Sequence, residues 1–164
     1  KTKNMSWTYK SNDIVDISQF PNNTYGFVYI VTHKPTGKAY IGKKILQFTK
    51  KVKLGKKELA KLQGVVGRRP SYKLSVKESD WKSYYGSQKD IKQLLLEGKK
   101  DEFERTILQC VPTKKSLTYF ELKYQMIYQV LEKPEEFFND NILGKFFTKD
   151  LIDIEVENFV DTHK

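Results

Sequence analysis

The chain has 164 residues, with 30 Lys and Arg against 20 Asp and Glu, a formal charge of +10 and a pI near 9.5. That length fits one domain with a real core, the charge favours polyanionic partners, nucleic acid or an acidic membrane surface, and no apolar run approaches the roughly 20 residues of a membrane span. The single cysteine, Cys110, excludes an internal disulfide and a cysteine-based zinc site and fits a reducing compartment. The polar N-terminus carries no signal-peptide pattern, so a cytoplasmic, intracellular setting is expected.

Residues 5–24 are polar with scattered aromatics, Trp7, Tyr9 and Phe20, and read as a loosely ordered arm (1–24) packed on the domain. The β-branched and aromatic run from Phe27 to Val31 and the shorter one from Ala39 to Gly42 are joined by His33-Lys34-Pro35-Thr36-Gly37-Lys38. Pro35 presets φ and Gly37 accepts positive φ, so a β-hairpin is predicted at about 26–32 and 38–43.

A basic stretch follows. From Lys43 to Lys73 there are eleven Lys or Arg and one acid, Glu58, whereas Glu132 to Lys164 holds nine Asp or Glu and four Lys. A basic middle and an acidic end argue for one polyanion-binding face, although a solvated lysine-rich loop has the same composition. Leu59 and Leu62 suggest a short helix over 56–63, stopped by Gly64 and Gly67. Arg68-Arg69-Pro70 opens a long basic loop without a period.

Order returns with Asp80-Trp81 and Tyr85-Gly86-Ser87. Ser87 and Asp90 fit a capping box, and Ile91, Leu94 and Leu95 share a face, predicting a helix over 88–97 that stops at Gly98. Phe103–Val111 alternates as a third strand, with Arg105 on it in a structural or rim position. Leu117, Phe120, Tyr124, Ile127, Tyr128 and Leu131 recur at helical spacing, predicting a helix over 116–132 capped by Thr113 or Ser116. Phe137-Phe138-Asn139 and Phe146-Phe147 read as loop. Leu151–Val160 fits either a strand or a helix, and a helix is the expectation. The predicted class is α/β (α+β): a small three-stranded antiparallel sheet flanked by helices over 25–147, then an acidic segment, 148–164.

Three features bear on chemistry. Tyr29 and Tyr40, one on each hairpin arm, are ordinary strand tyrosines taken singly; as a pair they bring two phenols together on one sheet face. With an ordinary pKa near 10, either would need a nearby cation to act as a base. Glu121 flanks the apolar stripe of its helix, and its neighbours at three and four residues, Leu117, Thr118, Tyr124 and Gln125, include no cation. It therefore needs a partner from elsewhere, a metal ion or a lysine of the basic stretch. Asn139, taken alone, is a turn asparagine.

Val28-Tyr29, ten residues and then Tyr40-Ile41-Gly42 resemble the paired motif of the GIY-YIG nucleases, with Phe27 where the family has Gly. Asp80-Trp81, Tyr85-Gly86-Ser87, Gly98 and Phe103-x-Arg105-x-Ile107-Leu108 resemble the free-standing Seg homing endonucleases encoded by phages. The resemblance covers about 25–141 and implies a divalent-metal-dependent endonuclease acting on DNA, double-stranded by preference. It places one Mg²⁺ or Mn²⁺ on Glu121, gives the attacking water to Tyr29 or Tyr40, and includes Asn139 in the site. The family's arginine belongs about ten residues past the YIG tyrosine, where this chain has Lys50 and Lys51. The resemblance thus leaves Arg68, Arg69, Lys43 or Lys44 to face the phosphate, with Lys43, Lys50, Lys51, Lys53, Lys56 and Lys57 following the DNA backbone. A module that binds nucleic acid without cutting it, and an assembly protein held by its aromatic surface, are the competing readings.

Overall fold

The computed structural model describes residues 5–62, 64, 67 and 70–156. β1 (Trp7–Tyr9) and β2 (Asn12–Ile14) form a tight hairpin, turned by Lys10 and Ser11 at φ of 49° and 68°. Two successive positive φ values let a two-residue turn follow the twist of its strands. β3 (Gly26–His33) and β4 (Ala39–Ile45) follow, then β5 (Gln47–Lys53), α1 (Lys56–Ala60) and β6 (Tyr72–Glu78). α2 (Lys89–Leu96), β7 (Phe103–Val111) and α3 (Lys114–Ile127) complete the body, and β8 (Asn141–Ile142) with β9 (Phe146–Phe147) makes a small hairpin beyond it.

The three expected strands form an antiparallel set within the main sheet, β7–β3–β4, with β4 at its edge. The sheet is larger than expected: its order is β2-β1-β7-β3-β4, five strands, with β1 parallel to β7. Residues 7–14 are thus strands rather than a loose arm. Trp7 fixes them. Its ring is buried and its Nε1 donates to the Trp81 carbonyl at 2.7 Å. Arg105 anchors the same corner, donating to the carbonyls of Met5, Lys82 and Tyr84 while its guanidinium lies 4.0 Å from the Tyr85 ring centre. Three-residue strands offer no alternation to read, and the contacts that hold these two come from far along the chain.

The basic loop is also corrected. Gln47–Lys53 and Tyr72–Glu78 pair in register from Gln47↔Glu78 to Lys53↔Tyr72, a two-stranded ribbon with every residue exposed. With both faces in solvent, no hydrophobic period is required of it.

α2 begins as expected, but its cap is Gln88, whose side chain accepts from the Asp90 and Ile91 amides. α3 starts earlier than expected, from the Thr113–Ser116 capping pair, and ends sooner, with Gln129 at φ 55° just beyond it. The expected helix over 151–160 does not form within the described residues. Thr148–Leu151 is a 3-10 turn, and Ile152, Ile154 and Val156 are exposed with no face to bury; residues 157–160 lie outside the described part.

The sheet separates two cores. Trp7, Phe20, Phe27, Tyr29, Trp81 and Ile91 fill one side, and Val28, Ile41, Leu117, Val130 and Leu131 fill the other under α3. Along β7 the pairing shifts, so that Val28 faces Gln109 and Tyr29 faces Ile107, leaving Leu108 as an extra residue. Such a bulge resets which side chains face which core. At the β4 edge the Ala39 amide donates to Glu136 at 3.0 Å and its carbonyl accepts from Phe138 at 2.7 Å, so the segment after α3 closes the edge and lies against the site.

Candidate active site

Tyr29 stands opposite Gly42 and Tyr40 opposite Val31. By the two-residue period both tyrosines share a face, with ring centres 6.3 Å apart. Gly42 makes the meeting possible: a Cβ there would lie 2.5 Å from the Tyr29 Oη and 2.8 Å from the Tyr40 ring. Gly86 closes over the pair at φ +102°, a backbone conformation that suits glycine. The two phenols differ. Tyr29 is 1 % exposed, with the Tyr84 ring edge-on to its own at 6.0 Å, and burial pushes its pKa well above 10. Tyr40 is half-buried at the edge strand; burial first, then the Glu121 charge, pushes it up to about 12.

Tyr40 and Glu121 line one groove of about 370 Å³, together with Ser87, Lys89, Gln125 and Asp140. Glu121 reaches it from α3 and Tyr40 from β4. Burial raises the Glu121 carboxyl above the ordinary carboxylate range, and Lys43, with its Nζ 3.7 Å away, only partly offsets this. One turn further along α3, Gln125 donates to the Ile41 carbonyl at 3.0 Å, while its buried Oε1 accepts no hydrogen bond. A desolvated carboxylate beside an unsatisfied neutral oxygen is a donor set that suits a hard divalent cation. Among the described residues no three His, Cys, Asp or Glu gather around a common point. A metal held by Glu121 would therefore complete its shell with water and phosphate oxygens, the pattern magnesium favours.

The other expected site residues divide. Lys43 does not itself line the groove; it reaches α3, donating to the Thr118 Oγ1 at 3.1 Å with its Nζ 3.7 Å from Glu121. Lys44 does not line the groove; its Nζ donates to Asp80 at 2.5 Å and sits over the Tyr84 ring. Lys50, Lys51 and Lys53 lie on β5 of the exposed ribbon, and Lys56 and Lys57 on α1. Arg68 and Arg69 lie outside the described residues, and Arg105 is buried in its structural role. Lys89, at the start of α2, is the groove cation that sequence reasoning missed, together with Ser87, Gln125 and Asp140. The Gly86-Ser87 step, directly before α2, was the available signal.

Asn139 is 4 % exposed, and both its amide groups are engaged: Nδ2 donates to the Ile41 carbonyl at 2.9 Å and Oδ1 accepts from the Ile41 amide at 3.0 Å. It positions β4 and does not face the groove. Asn139→Ala should orphan the Ile41 amide and lower the melting temperature by roughly 4–10 °C. A calorimetric melt unchanged from wild type would show that this clasp does not hold the edge strand.

In comparisons with known proteins, the family model for the GIY-YIG domain of SegE endonucleases matches residues 7–142. No curated protein and no solved structure matches. The match spans β1 through β8, including both tyrosines, Glu121 and the first two strands, and with the tyrosine pair meeting over Gly42 it leads to one conclusion: the chain belongs to the GIY-YIG endonuclease family, Seg type.

Proposed function

We propose that this nuclease is a divalent-metal-dependent endonuclease that hydrolyses phosphodiester bonds in double-stranded DNA, of the free-standing homing type that phages encode. The observation that carries the reading is the shared groove: Glu121, Tyr40 and Lys89 all line it, and the Lys43 Nζ lies 3.7 Å from Glu121. Glu121, with Gln125 near it, would hold Mg²⁺ or Mn²⁺. A divalent ion there would polarise a phosphoryl oxygen and lower the pKa of coordinated water.

The chain's own groups do the rest. At neutral pH the Tyr40 phenol is protonated, so in the absence of a cation its Oη orients water rather than deprotonating it. In-line attack forms a bond from the water oxygen to phosphorus and breaks the bond to the leaving sugar oxygen. The water's proton passes to solvent and the leaving oxygen takes one from solvent, giving a phosphomonoester and a hydroxyl. Negative charge grows on the phosphoryl oxygens in the transition state, and Lys43 and Lys89 would balance it. Lysines meet phosphate as point charges rather than as a forked guanidinium.

Supercoiled plasmid with Mg²⁺ should be converted to nicked or linear DNA, and EDTA should stop the reaction. Retardation of DNA in a gel with no cleavage in Mg²⁺ or Mn²⁺ would instead support a binding module without catalysis.

A further inference from the structure

The β5–β6 ribbon leaves the domain where β4 ends. The Ser79 amide donates to the Leu46 carbonyl at 2.8 Å and the Ser79 hydroxyl to the Ile45 carbonyl at 2.5 Å, so its base is pinned to the main sheet. Each strand has seven residues and is about 23 Å long. A two-stranded ribbon standing alone is only marginally stable in water, and this one buries nothing of its own.

Its two faces differ. On one, Lys73 is ion-paired with Glu58 of α1, and Phe48 and Lys77 border the domain. The other is open and ordered by strand. β5 presents Thr49, Lys51 and Lys53, and β6 presents their partners Val76, Leu74 and Tyr72. Leu74 and Val76 are 67 % and 64 % exposed. Thr49, Lys51 and Lys53 form one column and the apolar Val76 and Leu74 the other, with Tyr72 ending the second column as a hydroxyl that accepts from Lys51 at 3.2 Å.

We infer that this face of the ribbon enters the major groove of duplex DNA and reads base sequence next to the cleavage site. The major groove is wide enough for a two-stranded β-ribbon. Lysine donates to the O6 and N7 acceptors of guanine, and apolar side chains pack on the thymine methyl. The lysines also exclude the usual alternative, since the buried centres of protein–protein interfaces are depleted in lysine. The ribbon continues directly from β4, whose Tyr40 lines the candidate groove, so reading and cutting would act on one stretch of duplex. The inference rests on the double-stranded DNA reading above.

The test is binding selection in EDTA from random 30-base-pair duplexes, followed by guanine N7-methylation interference. A second protein replaces residues 48–77 with an Asn-Gly turn, which closes the hairpin at the Gln47↔Glu78 pair. It should melt like wild type, because the removed strands and α1 contain no buried residue. Wild type should select a motif with N7 interference, and the shortened protein should bind that motif at least about 100-fold more weakly, no better than random duplex. A third protein, Leu74→Ser with Val76→Ser, should keep the wild-type salt slope, while wild type but not this variant should lose affinity when selected thymines are replaced by deoxyuridine.

If the shortened protein selects the same motif, or if it loses a dimer on sedimentation with the motif intact, the ribbon does not read DNA. No duplex binding by wild type would overturn the double-stranded reading as well. A ribbon-dependent motif in a protein that fails to cut would remove the nuclease mechanism and leave this inference standing.

Discussion

Glu121→Gln is expected to lower Mg²⁺-dependent plasmid nicking by about 10³-fold or more, because it removes the carboxylate charge while keeping side-chain size. Metal affinity, read by isothermal calorimetry, should fall with it, since a hard divalent cation prefers an anionic oxygen. Stability should move the other way. Burial raises the folded-state pKa of Glu121 above its unfolded value. A carboxyl raised in this way favours the folded state below its unfolded pKa and loses that contribution as pH rises through the folded pKa. At neutral pH the ionised side chain is therefore a liability, and the Gln variant should melt at or above wild type. The difference should shrink when the melts are repeated at pH about 4, where the wild-type carboxyl is largely protonated. DNA binding in EDTA should persist or tighten, because one negative charge leaves the face that meets phosphate. A well-folded Gln variant that nicks at the wild-type rate would take Glu121 out of the site.

Tyr40→Phe should cost about 10²-fold in the cleavage rate, the scale of losing one positioned acid–base or hydrogen-bonding group, with the melting temperature nearly unchanged. Tyr29→Phe should give the converse. Tyr29 is enclosed in the core, whereas Tyr40 lines the groove with Glu121. Losing the enclosed Tyr29 hydroxyl, which packs against Gly42, should lower stability by about 1 kcal/mol and should reduce cleavage less than tenfold. Single-turnover rates on both variants separate the roles, and equal losses would mean that the two phenols act as a unit.

The part of the fold that local pattern encodes was legible in the sequence. The β3–β4 hairpin follows from Pro35 and Gly37 between two apolar runs, β7 from its alternation up to Ile107, and α2 and α3 from apolar stripes. Alternation fails after Ile107 because the bulge at Leu108 inserts one residue. The first two strands were hidden because their partner is β7, and the ribbon because neither of its faces needs to be apolar. At the site, Glu121 showed itself as a carboxylate without a local cation, and its lysine partner, Lys43, was among the alternatives held open. Gln125, Asp140 and Lys89 carry no such sign. They become neighbours only when α2, α3 and the segment after α3 converge on the β4 edge. Asn139 stood out beside two phenylalanines, and the structure gives it the task of holding Ile41.

The parallel pairing of β1 with β7 also orders events during synthesis. Thr8 and Thr106 touch across 98 residues of chain. At roughly 5–20 residues per second, the N-terminal strands wait about 5–20 s after emerging before their partner exists. The β3–β4 hairpin closes locally in the meantime, while Trp7 has neither its Trp81 carbonyl nor its place beside Arg105. The helix bearing Glu121 is made later still. A growing chain therefore exposes its lysine-rich ribbon to polyanions before the candidate site can assemble, since Glu121 and Asp140 emerge long after Gln47–Glu78.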